Sequence, residues 1–206
     1  MYNVPYFKAD NQQEVLDFMH AHPFIMLIAN GKDYPAATQV PIIIEERDDK
    51  MILRGHIMRK TDHHKALELN PNVLVVFSGE HTYISASWYM NKQTASTWNY
   101  RAVHAQGVLR FTDKTDLVDL LTKLTATFEN NHNSPSLVEH LSAEYLEPML
   151  KAILSFKIEI TNIEHVFKLS QNRDPESYQN IVAHLNKGNA DAIAMAEVMK
   201  KKNRNL

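Results

Sequence analysis

Two adjacent cations, Arg59 and Lys60, stand where an apolar run typical of a strand changes into a run typical of a helix. The run before them is MILRGHIM, and the segment after them is TDHHKALELNP. Two cations at such a junction can give charge-assisted hydrogen bonds to one phosphomonoester, helped by the N-terminus of the following helix. The alternative is a solvated surface pair, which is the commoner role of an isolated Arg-Lys dipeptide.

The chain's two tryptophans lie in two aromatic segments, SASWY (85–89) and STWNYRAVHAQG (96–107). Tryptophan usually buries most of its large surface and finds one partner for its N–H, so a core position explains both indoles. We expect this for Trp88. The alternative for the second segment is a platform for a flat aromatic ligand, and this needs support from elsewhere in the chain.

Several kinds of site are excluded by what the chain lacks. It has no cysteine, so thiolate catalysis and thiolate metal sites are absent, and redox chemistry needs a cofactor. The histidines form no H-E-x-x-H motif, and the adjacent His63 and His64 point to different faces of a helix, so we predict no metal site. No G-x-G-x-x-G, Walker or G-x-S-x-G motif occurs. A ligand phosphate would therefore have to be held by side chains.

The composition is that of an ordinary globular protein, with 206 residues of which 44% are hydrophobic. The net charge of −2 provides no global positive field that would attract nucleic acid. No apolar run approaches the roughly 18 residues needed to span a bilayer, and the start of the chain has no apolar signal core. We therefore expect a cytoplasmic protein that does not enter a membrane.

Short elements must position the candidate residues. A capping pattern at Asp10 predicts an opening helix that ends at Pro23. Apolar runs separated by the turn-like segments KDYP and EERDDK then predict a strand meander, with Pro41 at an edge or a bulge. The segment after Lys60 predicts a brief helix with Thr61 or Asp62 as its cap.

The second half of the chain carries stronger helix signals. Asp113 and Asp116 predict the start of a helix with one apolar stripe, formed by Leu117, Leu120, Leu121, Leu124 and Phe128. The segments VLVVFS (73–78) and FKIEIT (156–161) predict strands, the second of them half-buried. Two further helices are predicted near the C-terminus, in ESYQNIVAHLNKG and in the segment that follows it.

The order strand, Arg-Lys, helix, Asn-Pro, strand resembles the phosphate-binding region of the FMN-binding split-barrel proteins, such as pyridoxamine-phosphate oxidase. Further segments resemble, in order, the PaiB-type family of FMN-binding negative transcriptional regulators: MYNVPYF, ATQVP, RGHIMRK, NPNVLVVFSGEHTYISASWY, STWNYRAVHAQG and KLSQNR. This resemblance runs from Met1 to about Leu185. The chain departs from the pattern expected of the family at four positions, Gln39, Thr61, Ala86 and Ser96.

The resemblance implies an α+β fold that is mainly β, namely an FMN-binding split β-barrel with flanking helices and a helical C-terminal segment. It implies a split-barrel domain in residues 1–165 and a C-terminal part in residues 166–206, made of the KLSQNR motif and a helical extension. It also implies a homodimer that binds FMN in clefts at the subunit interface.

The family's cofactor-binding residues can be carried over to matching positions of this chain. The phosphate is expected at Arg59 and Lys60. Trp98 is expected to stack on the flavin ring or to lie at its edge, and Asn99 to offer amide hydrogen bonds. The full set of candidate residues is Thr38, Arg54, Gly55, His56, Arg59, Lys60, Trp98, Asn99, Lys168, Gln171 and Arg173.

Two questions remain open at this point. The resemblance implies that the KLSQNR motif of one subunit closes the flavin-ring end of the other subunit's site. The motif could instead be a capped helix start with Ser170 or Asn172 as the cap. The function implied by the family is transcriptional repression, and the alternatives are a flavin reductase or oxidase using the same cleft, or a flavin-binding scaffold for protein partners. We expect DNA to be bound only weakly by this chain, because the KKKNR tail is short and typical of a solvated helix end.

Overall fold

The computed structural model describes residues 1–47 and 50–203. Part of the turn predicted at EERDDK, namely Asp48 and Asp49, lies outside the described residues, and so do the last three residues of the chain, 204–206. The described chain contains seven strands and six α-helices. This is the predicted α+β class with a dominant β component.

The strands form a single sheet. They are β1 (Phe24–Ala29), β2 (Ala36–Pro41), β3 (Ile43–Arg47), β4 (Lys50–Met58), β5 (Asn72–Ile84), β6 (Thr97–Phe111) and β7 (Ile153–Lys168). Their order is β2-β1-β5-β6-β7-β4-β3, and β1 pairs antiparallel with β2 and β5, as β4 does with β3 and β7. Pro41 ends the edge strand β2, as predicted, where a missing N–H is tolerated.

Helix starts in this chain are marked by side-chain caps, although the first helix is capped by Asn11, which accepts the N–H of Glu14, and not by Asp10 as predicted. The helices are α1 (Gln12–Ala21), α2 (Asp62–Leu69), α3 (Lys114–Glu129), α4 (Ala143–Ala152), α5 (Pro175–Leu185) and α6 (Ala190–Asn203), with 3₁₀ turns at Pro5–Phe7, Ala86–Trp88 and Val138–His140. Thr61 caps α2 and Asp113 caps α3, both as predicted. None of the described helices combines the length and apolar composition needed to cross a membrane.

The chain divides into two compact units. Unit 1 contains Met1–Met19, Ser78–Val103 and the chain from Glu164 onward, and unit 2 contains His20–Phe77 and His104–Ile163. Strands β5, β6 and β7 each run from one unit into the other. The domain boundary proposed at residue 165 stays a prediction.

Each unit has its own apolar core. In unit 2 the fully buried side chains come from the strands and from α3, and they include Ile25, Leu27, Leu53, Phe77, Leu120, Phe156 and Ile158. In unit 1 they include Met19, Ile84, Tyr89, Phe167, Leu169, Met195 and Met199. The predicted stripe of α3 is buried at Leu117, Leu120 and Leu124, but Phe128 is 55% exposed, so the buried stripe ends one turn earlier than predicted.

Candidate functional site

Arg59 directly follows β4 and is tied to the start of β7. Its backbone N–H donates to the Ala152 carbonyl at 2.9 Å, and its Nε–H donates to the Ile153 carbonyl at 3.0 Å. Its terminal guanidinium nitrogens have no hydrogen-bond or ion-pair partner within residues 1–47 and 50–203. Arg59 is exposed, so these oriented donors are available to an anion.

Arg59 also lines a cavity of about 260 Å³ in unit 2. The other lining residues come from the start of α3, from α4 and from the flanking strands, and they include the cations Lys114 and Lys151, the carboxylates Asp113 and Glu147, and Leu117, Leu150 and Leu154. Lys114 pairs with Glu147 at 2.6 Å, and Asp113 caps α3. Two cations and two carboxylates therefore balance each other in the lining around Arg59.

Lys60 and Thr61 form the turn between β4 and α2. The backbone of Lys60 is left-handed, with φ at 65°, and its N–H donates to Nδ1 of His64 at 3.1 Å. The Thr61 hydroxyl accepts the N–H of His64 at 3.1 Å and so caps α2. The Lys60 ammonium is exposed and has no partner among the residues that the structure describes. The junction thus presents two adjacent cations with free donors.

Thr38 lies on β2 and contacts the first turn of α2. Its Oγ1 is 2.7 Å from Nδ1 of His63, a buried residue whose Nε2 has no hydrogen-bond partner in the described chain. Burial lowers the pKa of His63, although the charge of Asp62 acts in the opposite direction. Burial therefore favours the neutral form of the His63 ring, and the contact between Nδ1 and Thr38 orients that ring.

Arg54 lies on β4 and is only 3% exposed. Its Nη1 donates to Glu45 and to Asp119, both at 2.8 Å, and its Nη2 donates to the Asp116 carbonyl at 3.1 Å. Burial alone would lower the pKa of Arg54, but its hydrogen bonds with Glu45 and Asp119 outweigh this effect and raise it. The guanidinium is therefore occupied by protein groups, and a contact between Arg54 and a ligand stays a prediction.

Gly55 and His56 are the next two residues of β4. A Cβ at position 55 would lie 2.6 Å from the ring of Phe156, so this glycine is required for close packing in the sheet. His56 is half-buried, its Nδ1 has no partner in the described chain, and burial lowers its pKa. Nδ1 of His56 is therefore the side-chain atom of this pair that could still form a hydrogen bond.

Trp98 lies on β6 in unit 1 and is 53% exposed, which is unusual for tryptophan. The ring of Tyr83 meets it edge-on at a centroid distance of 6.1 Å, and the ring of His81 lies 6.3 Å away. Tyr83 and His81 are exposed as well. These three rings, hereafter the aromatic face, form a surface suited to a flat partner.

Asn99, the residue after Trp98, is fully buried. Its Oδ1 accepts the hydroxyl of Ser170 at 3.0 Å, and its Nδ2 contacts Sδ of Met199 at 3.5 Å. The amide therefore joins β6 to the KLSQNR motif and to α6. Its predicted hydrogen bond with a flavin stays untested.

The three candidate residues of the KLSQNR motif are tied into unit 1. Lys168 donates to the Thr97 hydroxyl, and burial, together with the charge of Arg173, lowers its pKa. Gln171 lies in the turn after β7, and its side-chain amide donates back to the Phe167 carbonyl at 2.5 Å. The guanidinium of Arg173 lies 4.1 Å from the centroid of the Tyr89 ring, a cation–π contact.

One expectation from the sequence and one alternative are corrected in this region. Trp88 is not a core residue, because it is half-buried and stacks on His184 at 5.0 Å with the planes 14° apart. Neither Ser170 nor Asn172 caps the following helix, because the side chain of Asp174 accepts the N–H of Ser177 instead. Ser170 has a left-handed backbone and bonds to Asn99.

His64, His81 and Tyr83 are functional candidates that were not predicted from the sequence. From the sequence, His64 was weighed only as a metal ligand. Its position four residues after Lys60 was the one signal that its side chain could reach back to the turn before α2. The positions of His81 and Tyr83, two apart on one strand, place both side chains on the face of Trp98. The aromatic face could therefore be predicted only with the knowledge that β5 and β6 are neighbours in the sheet.

Unpartnered polar groups allow the fit of FMN to be tested. In unit 2, the free donors of Arg59 and Lys60 suit a terminal phosphate, and they have no other partner in the described chain. In unit 1, the exposed indole of Trp98 suits an aromatic ring system. The residues present thus fit the chemical groups of FMN.

Comparison with known proteins agrees with this chemistry. Residues 1–162 match the family model described as "Putative FMN-binding domain". The chain is 36% identical over 203 residues to "Protease synthase and sporulation protein PAI 2" of Bacillus subtilis (strain 168), and the match covers 98% of each chain. The predicted family and the predicted cofactor, FMN, are both confirmed.

Solved structures show the fold. The flavocytochrome Anf3 from Azotobacter vinelandii has a TM-score of 0.60 at 15% identity, with 87% of this chain and 78% of that chain covered. The FAD and heme binding protein from Mycobacterium smegmatis has a TM-score of 0.54 at 14% identity, with 85% and 78% covered. The predicted fold class is thereby confirmed, and the chain belongs to the PaiB-type family of FMN-binding domains.

Proposed function

We propose that the protein is a homodimeric, cytoplasmic FMN-binding protein that acts as a negative transcriptional regulator of the PaiB type. Membership in the FMN-binding family and the similarity to the sporulation protein PAI 2 support the class of function. The single observation that carries the ligand is the pair of free cations at Arg59 and Lys60, at the end of β4.

The phosphate of FMN is bound by these two cations. Each charge-assisted hydrogen bond contributes ~1.5–3 kcal/mol. A flavin without phosphate should therefore bind more than about tenfold more weakly, because tenfold corresponds to about 1.4 kcal/mol. The chain thus distinguishes FMN from riboflavin through Arg59 and Lys60.

The ring of FMN is bound through Trp98, with Asn99, Lys168, Gln171 and Arg173 supporting that end. The exposure of Trp98 supports this role, since an indole with no ligand or partner would be expected to bury more of its surface. Thr38, Arg54, Gly55 and His56 shape the strand region near the ring. Bound FMN supplies the redox chemistry that a cysteine-free chain lacks, so flavin occupancy or redox state is the signal.

A direct test compares the binding of FMN and riboflavin by quenching of flavin fluorescence. We expect the variant Arg59→Ala with Lys60→Ala to lose most of the preference for FMN and to keep its affinity for riboflavin. Lys65→Ala, which removes another exposed cation nearby on α2, is the matched control and should behave as wild type. Equal affinity of the wild type for both flavins would refute the proposal.

The homodimer is tested by mixing variants. If Arg59 and Lys60 come from one protomer and Trp98 from its partner, Arg59→Ala and Trp98→Ala should each bind FMN poorly alone. After free subunit exchange, half of the dimers are mixed and half of their sites are intact, so roughly a quarter of all sites should recover. No recovery, despite exchange demonstrated by mass spectrometry, would mean that each site is built within one chain.

DNA is the second partner and is bound weakly by this chain alone. The net charge is −2, and Lys202 in the basic tail is neutralised by Asp10 at 2.6 Å and by Glu14 at 3.2 Å. The tail is thus less solvated at Lys202 than the sequence suggested. Binding carried by so few cations should weaken steeply with salt. A tight, sequence-specific complex with DNA at physiological salt would contradict weak binding.

The oxidoreductase alternative has its own test. Rapid oxidation of NAD(P)H by the protein with FMN present would favour it.

A further inference from the structure

Lys60 adopts a backbone conformation that residues with a side chain rarely adopt. Its φ of 65° lies in the left-handed region, where the Cβ is crowded by the neighbouring carbonyl. Arg59 before it is tied to β7 through its own N–H, and Thr61 after it caps α2. The chain therefore turns sharply between two fixed points, and the group that accepts the Lys60 N–H helps to keep this turn in place.

His64 holds this peptide. The N–H of Lys60 donates to Nδ1 of His64 at 3.1 Å, so Nδ1 must be unprotonated, and the neutral ring carries its proton on Nε2. Nε2 lies 3.5 Å from Oε1 of Glu68, one helical turn further along α2. The carboxylate favours this tautomer, because it attracts the N–H end of the ring and leaves the acceptor end facing Lys60.

The ring of His64 is fixed by its surroundings. It meets the ring of Phe111 edge-on at a centroid distance of 5.2 Å and an angle of 79°. Its side chain is only 14% exposed, and its backbone N–H is bonded to the Thr61 hydroxyl. A packed ring with little access to water offers Lys60 an acceptor in a constant position.

We propose that His64 is a positioning residue of the phosphate site. Its Nδ1 holds the Lys60 peptide in the left-handed turn, and this turn presents Arg59 and Lys60 together to the phosphate. His64 does not contact the flavin. The proposal rests on the proposed function, in which these two cations bind the phosphate of FMN.

The test uses three variants that differ in where they place an acceptor. His64→Asn keeps an oxygen close to the position of Nδ1, His64→Gln places its amide near the position of Nε2, and His64→Leu has no acceptor. We expect His64→Leu and His64→Gln to bind FMN about 3- to 10-fold more weakly, the scale of one lost hydrogen bond, with unchanged affinity for riboflavin. His64→Asn should remain within about twofold of wild type.

Hydrogen exchange of the Lys60 amide gives a readout that does not depend on flavin. Exchange should be slow in the wild type and in His64→Asn, and faster in His64→Gln and His64→Leu. Should His64→Leu fail to fold, the comparison between the asparagine and glutamine variants still decides the question.

Two results would overturn this role of His64. One is unchanged affinity for FMN in both the leucine and the glutamine variants, and the other is an equal loss of FMN and riboflavin binding, which would indicate general damage. A failure of the proposed function has a different signature, because Arg59→Ala with Lys60→Ala would then leave the preference for FMN unchanged. The two hypotheses are thus separated by one set of titrations.

Discussion

Replacement of Arg54 by methionine should destabilise the protein even when no flavin is present. Methionine keeps most of the apolar stem and removes the guanidinium, which is 3% exposed and bonded to Glu45, Asp119 and the Asp116 carbonyl. Breaking a buried ion pair by removing one partner costs about 3–5 kcal/mol. We expect the lower end of this range, because Arg47 at 3.0 Å and Lys123 at 3.6 Å still compensate the charge of Glu45.

The partners of Arg54 provide a graded comparison. The Asp119 side chain is 47% exposed, so Asp119→Asn should cost less than about 1 kcal/mol. Glu45 is only 15% exposed, so adding Glu45→Gln to Arg54→Met should restore part of the loss, because it removes a largely buried charge that has lost its shortest ion pair. Urea unfolding measures these differences. A loss of about 3 kcal/mol should appear in thermal unfolding as a decrease of about 6–12 °C in Tm for a chain of this size.

The pH dependence of stability tests the same network. Burial alone would raise the pKa of Glu45, but the hydrogen bond and charge of Arg54, together with the charges of Arg47 and Lys123, outweigh it and lower the pKa. A carboxylate with a lowered pKa in the folded state stabilises the fold above its unfolded pKa, and this contribution disappears as the pH falls through the folded value. The loss should therefore occur below about pH 4.3, the ordinary pKa of a glutamate, and it should be smaller in Arg54→Met.

The alternative role of Arg54 leads to the opposite result. If Arg54 acts mainly at the flavin, Arg54→Met should leave the flavin-free protein as stable as Asp119→Asn does, and should weaken the binding of FMN. That result would refute the structural role inferred from its burial and its ion pairs.

Two further predictions concern unit 1. Asn99→Ala should lower the free energy of unfolding by about 1–3 kcal/mol, because it leaves the buried hydroxyl of Ser170 without its acceptor. A change below about 0.5 kcal/mol in urea unfolding would show that the amide is dispensable. Lys202→Ala should cost about 1 kcal/mol through loss of the pairs with Asp10 and Glu14, whereas Lys201→Ala, which removes an exposed neighbour, should stay within about 0.5 kcal/mol. Similar effects of the two lysine substitutions on unfolding would contradict the pairing of Lys202.

The parts of the fold that were predictable from the sequence are those fixed by local chemistry. The caps Thr61 and Asp113 and the position of Pro41 at an edge depend on a few neighbouring residues. The lengths of β5, β6 and β7 do not depend on local sequence alone. Each of these strands continues past its apolar part into polar residues, and those residues are extended because they pair with neighbouring strands in the sheet. Helix α4, to which no element was assigned, contains a proline at position 148.

The candidate site was predictable to a different degree at each residue. Arg59 and Lys60 were predicted to bind a phosphate because two adjacent cations stand at a strand end and the surrounding order of elements resembles a family that binds FMN there. In the described chain, the terminal guanidinium nitrogens of Arg59 and the ammonium of Lys60 have no partner. Arg54 was predicted with them by resemblance, yet its guanidinium donates to Glu45 on the neighbouring strand β3 and to Asp119 on α3. Asp119 lies 65 residues from Arg54 in sequence but close to it in space. Sequence alone gives no sign of such long-range pairing.

Backbone strain separates the two motifs from the rest of the chain. Among the described residues, three that are not glycine have positive φ, namely Lys60, Asn130 and Ser170. Asn130 ends α3, where asparagine is a common left-handed cap.

Lys60 and Ser170 have no such ordinary explanation, and they lie in RGHIMRK and KLSQNR, two of the segments that carry the family resemblance. Each is held by a specific hydrogen bond, from Lys60 to His64 and from Ser170 to Asn99. Strain that the surrounding structure maintains in this way is typical of ligand sites. It therefore supports a binding role for both motifs on grounds that are independent of sequence similarity.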